Sequence, residues 1–140
     1  MVKELPNGIH SQVLDLSAAG DAHAESGEAA EAIECYRMAL LLLPRPGDQW
    51  EAYQWLQAAI GDVRFENGQY REALFAFEQA LKGGGLGNPF IHLRMGQCAF
   101  HLGDEHRAVE ELLRAYMADG AEVFREDQRY LKFLKSKVQL

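Results

Sequence analysis

The sequence predicts an all-α fold in which three helix-turn-helix repeats stack in order and a C-terminal capping helix closes the array. Three observations predict it. Gly61, Gly68, Ala73, Phe77 and Ala80 are matched 41 residues upstream by Gly20, Gly27, Ala32, Tyr36 and Ala39, and 35 residues downstream by Gly96, Gly103, Ala108, Leu112 and Ala115. Helix-starting and helix-stopping residues fall between these segments: Pro44 and Pro46, Asn88-Pro89, and Asp119-Gly120. Beyond Asp127, the residues Tyr130, Leu131, Leu134 and Val138 form one apolar helical stripe with lysines opposite, the pattern of a solvating end cap.

In chain order, Pro6-Asn7-Gly8 reads as a turn, followed by a helix from about Ile9 to Glu25 and its partner from about Glu28 to Leu42. Pro44 and Pro46 stop the second helix, and Asp48 with Glu51 three residues on reads as a capping box opening a long helix to Glu66. That helix carries an extension, Trp50, Glu51, Tyr53 and Gln54, at one rim of the array, serving either as packing or as binding surface. Its partner spans about Tyr70 to Lys82, and Gly83-Gly84-Gly85-Leu86-Gly87 reads as a flexible linker. Asn88 as N-cap and Pro89 as first helical residue restart the chain. The third pair covers about Pro89 to Leu102 and Asp104 to Met117, with Gly120 as a left-handed C-cap residue and Asp127 as the cap of the last helix.

The recurring small residues have a packing reason. Antiparallel helices approach closely only where bulk is absent, so Gly20, Gly61 and Gly96 are expected to face Ala32, Ala73 and Ala108, with Tyr36, Phe77 and Leu112 filling the space between. Gly27, Gly68 and Gly103 are expected at the tight turns inside each pair. A glycine, a second glycine seven residues on, then a small residue, an aromatic or Leu, and another small residue resembles the tetratricopeptide repeat (TPR), whose period is about 34 residues. The resemblance implies a right-handed superhelix forming one domain over 1–140, with repeats at about 9–44, 48–85 and 88–120 and a cap at about 121–138.

Composition suits a soluble domain: 140 residues, 48% hydrophobic and 25% charged. Cys35 and Cys98 lie on expected helices and imply no disulfide framework, the start MVKELPNGIH lacks the apolar core of a secretory signal, and Met38 to Leu43 is too short to span a membrane, so the expected location is cytoplasmic. Charge is uneven. Glu4, Asp15, Asp21, Glu25, Glu28, Glu31 and Glu34 occur before Tyr36 with no Lys or Arg among them, and already equal the chain's net charge of −7. An acidic end opposes nucleic acid and favours a protein partner with a basic surface.

In the TPR family the partner lies in the concave groove, on the second, fifth, ninth, twelfth and thirteenth positions of each repeat. The resemblance places Leu14, Ser17, Asp21, Ala24 and Glu25 there from the first repeat, Trp55, Ala58, Asp62, Phe65 and Glu66 from the second, and Phe90, Leu93, Gln97, Phe100 and His101 from the third. Asp21, Glu25, Asp62 and Glu66 would border aromatic anchors Trp55, Phe65, Phe90 and Phe100, with Leu93, Gln97 and His101 beside them, unless those rings pack on the extended helix or the cap. The carboxylate clamp of chaperone-tail receptors is not matched: Ser17 and Asp21 stand at its Lys and Asn positions, Phe90 at a lysine position, and only Arg94 agrees.

Chemistry has thin support. Cys98 and His101 with His92 and His106 lack a second ligand pair at zinc spacing, and Glu66 with His101 lacks a nucleophile or phosphate loop, so no catalytic residue, metal or cofactor is expected. The tail FREDQRYLKFLKSK is similar to small acidic bacterial TPR-like immunity proteins that neutralise toxins, while HLRMGQCAFHLGDEHRAVEELLRAYM is similar to type III secretion chaperones. The expected function is therefore a non-enzymatic protein-binding module, either an immunity protein or a chaperone holding a translocator or effector segment.

Overall fold

The computed structural model describes residues 4–84 and 87–140. Among the described residues there are seven α-helices and no strand: α1 (Asn7–Glu25), α2 (Ala29–Leu42), α3 (Glu51–Glu66), α4 (Tyr70–Lys82), α5 (Pro89–His101), α6 (Glu105–Asp119) and α7 (Gln128–Lys137), with 3-10 turns at Gly47–Gln49 and Gly120–Phe124. They divide into two compact units, 1–85 and 86–140.

In the first unit α1 packs on α2, α2 on α3, and α3 on α4. Pro6-Asn7-Gly8 is not a separate turn. The Pro6 carbonyl accepts the His10 N–H at 2.9 Å, so these residues start α1 two positions before the expected Ile9. The first two turns inside helix pairs are closed alike: Glu28 N–H reaches His23 O at 2.8 Å and Gln69 N–H reaches Arg64 O at 2.9 Å, with Gly27 and Gly68 at φ 75° and 73°. These are six-to-one Schellman bonds, and the positive φ at their centre is what selects glycine.

The capping box expected at Asp48 does not form. Asp48 lies in the 3-10 turn, and α3 starts after Trp50, which is extended at φ −97° and ψ 140°. The indole explains the shift: Trp50 is buried in the core with Leu43, Leu56 and Val13, and its Nε1–H donates to the Pro44 carbonyl at 2.6 Å. Part of the extension is thereby packing.

The glycine contacts also differ from expectation. A Cβ on Gly20 would stand 2.6 Å from the Tyr36 ring, and one on Gly61 would stand 2.7 Å from the Phe77 ring. The glycines thus receive the large side chain one helical turn beyond the alanine; Ala32 and Ala73 are fully buried beside that contact. Gly83, expected in a flexible linker, has a packing role as well, since a Cβ there would come within 2.7 Å of the Gln54 backbone nitrogen. Gly85 and Leu86 of that expected linker lie outside the described residues.

In the second unit α5 packs on α6 and α6 on α7. Asn88 caps α5 by accepting the Phe90 N–H at 2.9 Å, with Pro89 as first helical residue. Asp104 caps α6 through Arg107 N–H at 3.1 Å, and Asp127 caps α7 through Arg129 N–H at 3.0 Å. The α5–α6 turn repeats the Schellman bond, Asp104 N–H to Ala99 O at 2.9 Å, and a Cβ on Gly96 would stand 2.6 Å from the Leu112 side chain. Gly120 has positive φ but ψ −166°, so it is an extended glycine leading into a 3-10 turn instead of a left-handed cap. That turn buries Phe124 with Leu93, Leu112, Tyr130, Leu131 and Leu134 in one core.

Candidate functional site

The faces of interest are those of the first helix in each pair. On α1 the absence of a side chain at Gly20 lets the Tyr36 ring cross the helix, and its hydroxyl donates to Asp21 Oδ1 at 2.6 Å. Burial, then the Asp21 carboxylate and Asp62 nearby, push the Tyr36 phenol well above its ordinary value, so it remains a proton donor. Asp21 and Asp62 are therefore gathered around one phenol, while Glu25 and Glu66 are exposed at the ends of their helices. Trp55 is half-buried against the core and, with Trp50, Glu51, Leu5, Asn7 and His10, lines a cavity of about 390 Å³. The N-terminal residues of this cavity escaped the sequence reading because Pro6-Asn7-Gly8 was expected to be a turn. Phe65 is half-buried edge-on to Tyr70, ring centroids 5.4 Å apart.

The second unit spends most of its expected contact residues internally. Leu93 is buried in the core, and Gln97 is 5% exposed, its Oε1 accepting from Arg94 Nη1 at 2.8 Å, so neither offers contact surface. Phe100 packs edge-on to Tyr130 and Phe133 at 5.4 and 5.1 Å, the packing on the cap that stood as the alternative to groove exposure. His101 Nε2 lies 2.7 Å from the Tyr130 hydroxyl. Phe90 alone of this set remains exposed, with the Arg94 guanidinium 5.1 Å from its ring centroid.

His92 and His106 have local partners. His92 Nδ1 lies 3.2 Å from Glu111 Oε1, a buried carboxylate that also accepts from Arg114 Nη1 at 2.6 Å, and exposed His106 meets Glu110 at 2.9 Å. The hydrogen bond and charge of Glu111 raise the Arg114 guanidinium above its ordinary value. Among the described residues no group of three or more His, Cys, Asp or Glu is placed to hold a metal, and no helix is long and apolar enough to cross a membrane.

His101 is expected to make the second unit sensitive to acid. Desolvation, then Arg129, lowers its pKa below the ordinary 6.5, against a smaller opposing effect of Asp127. The unfolded chain then binds a proton before the folded one does, so this contribution is complete above pH 6.5 and is lost as pH falls through 6.5 toward the lower folded value. Urea midpoints measured between neutral and mildly acidic pH are expected to decline less steeply for His101→Gln than for the parent; parallel profiles would assign the slope to other groups.

Two sequence-family models described as "Tetratricopeptide repeat" match residues 14–83 and 58–122. The first spans half of the 140 residues, and the chain belongs to the tetratricopeptide repeat family. Among solved structures it is similar to one titled "Crystal structure of MamA", with a TM-score of 0.66 and 14% identity over 88% of this chain and 74% of that one; at that identity the likeness establishes the fold. No curated protein matches at a significant level. The family is a scaffold for protein–protein contacts, and the chain is a protein-interaction module of that kind.

Proposed function

We propose that this module is non-enzymatic and takes one protein partner with a basic surface on the face built by α1 and α3, and that in its most specific form it is an immunity protein covering a toxin domain. The observation that carries the reading is the unbalanced carboxylate surface of the first unit: residues 4–36 hold no Lys or Arg, and Glu25 and Glu66 stand exposed on the same helices as Asp21, Asp62 and half-buried Trp55. Carboxylates of this kind accelerate encounter with a basic surface, while an aromatic ring beside a cavity holds the docked partner.

The test joins identification to kinetics. A partner captured on the tagged chain is immobilised and its binding followed at two ionic strengths. Trp55→Ala is expected to weaken binding by about 2 kcal/mol through faster release. Asp62→Asn with Glu66→Gln is expected to slow association and flatten its salt dependence, since surface charge acts over about 8 to 10 Å. A folded toxin domain silenced by binding supports the immunity reading; an extended translocator or effector segment replaces it with the secretion-chaperone reading. Unchanged kinetics in both variants would remove the partner from this face.

A further inference from the structure

The first unit has a second concavity, of about 470 Å³, between α2, α3 and α4. Its floor is apolar: Ile33, Ile60 and Ala76 are buried there, and Phe75 stands at its edge with 62% of its surface exposed. Around that floor come Arg37 from α2, Arg64 from α3 and Arg71 from α4, against a single carboxylate, Glu72. In a chain of net charge −7, three guanidinium groups from three successive helices at one groove run against the general charge. Arg64 spends one donor on Gln69 Oε1 at 3.3 Å, while Arg37 and Arg71 are exposed and make no ion pair among the described residues.

We propose that this groove is a second docking site and that its occupant is an acidic peptide segment of a protein partner, bearing an aliphatic or aromatic anchor. Guanidinium forks bind carboxylates through paired N–H donors, which gives the rim its charge preference. The apolar side of the groove calls for an anchor side chain, because a bare anion would leave the exposed Phe75 ring uncovered. A nucleic acid backbone would meet the same arginines but carries no aliphatic side chain to seat on the apolar lining beside Phe75. At 100° per residue, Arg64, Ile60 and Gln57 lie across α3 from Trp55, Ala58 and Asp62. The acidic face and the arginine groove are thus separate sites with opposite charge preference.

Selection of a phage-displayed random peptide library on the full chain tests this, followed by fluorescence anisotropy of the enriched peptide at low and high salt. The expected result is enrichment of Asp- and Glu-rich peptides around Phe or Leu, with affinity that falls with salt. Arg37→Ala with Arg71→Ala, two exposed positions, is expected to reduce affinity roughly tenfold without changing the melting curve. Trp55→Ala is expected to leave it unchanged, which separates this site from the α1–α3 face. No enrichment, neutral or basic peptides, or an acidic peptide indifferent to the arginine variant would overturn the proposal. So would sedimentation showing self-association of the parent that the arginine variant abolishes, because the occupant would then be the acidic α1 of a second copy.

Discussion

A Gly61→Ala chain is expected to unfold at lower urea than the parent, with a loss of about 1 to 3 kcal/mol, although alanine is the better helix former by about 1 kcal/mol. The sign is decided by Phe77. A Cβ at position 61 would meet Cε1 and Cζ of that ring at 2.7 Å, and the ring is fully buried, so it has nowhere to retreat. Adding Phe77→Leu should recover part of the loss, giving a favourable coupling between the two substitutions in a double-mutant cycle. At Gly96 trimming the facing Leu112 should rescue an added Cβ less well, since that Cβ would also stand 3.0 Å from the Leu112 backbone nitrogen, which no side-chain change moves. A Gly61→Ala chain as stable as the parent would show that α3 and α4 are not held at this distance.

Removing residues 127–140 is expected to have the largest effect, abolishing cooperative unfolding of the second unit and driving aggregation. Helix α7 gives Tyr130, Leu131 and Leu134 to the core that also holds Leu93, Leu112 and Phe124. Leu134 has no exposed surface, and its truncation to alanine alone should cost about 2 to 5 kcal/mol. Loss of the whole helix exceeds what a small unit withstands when total stability is about 5 to 15 kcal/mol. Thermal melts and size-exclusion profiles of Leu134→Ala and the truncation form a graded series. A soluble truncation with an unchanged melt would make α7 an independent tail.

The repeat and its helices were legible because local chemistry dictates them. Asn88-Pro89, Asp104 and Asp127 cap helices through their own side chains, and Gly27, Gly68 and Gly103 sit at positive φ, so each signal is complete within a few residues. What was illegible depends on residues far apart in the chain. Asp48 followed by Glu51 is a sound capping pattern, yet the burial of Trp50 and its bond to Pro44 override it. Spacing placed the glycines against the second helix of each pair but not the particular side chain they receive, which depends on how the two helices rotate about each other. The family resemblance alone marked Phe100 and His101 as surface anchors, and only the three-dimensional position of Tyr130, 29 residues beyond His101, withdraws them into the second unit. The arginine groove joins residues from three helices, with no linear pattern to announce it.

Trp50 and Trp55 are the chain's two tryptophans, and both belong to the first unit. Indole emission therefore follows that unit alone, whereas far-ultraviolet circular dichroism records the helices of both. With its indole buried and hydrogen-bonded to a carbonyl, Trp50 should emit at short wavelength while its surroundings are intact and shift red on hydration. Recorded together along one urea titration, the two signals serve as a built-in comparison of the halves of the molecule without added dyes or labels.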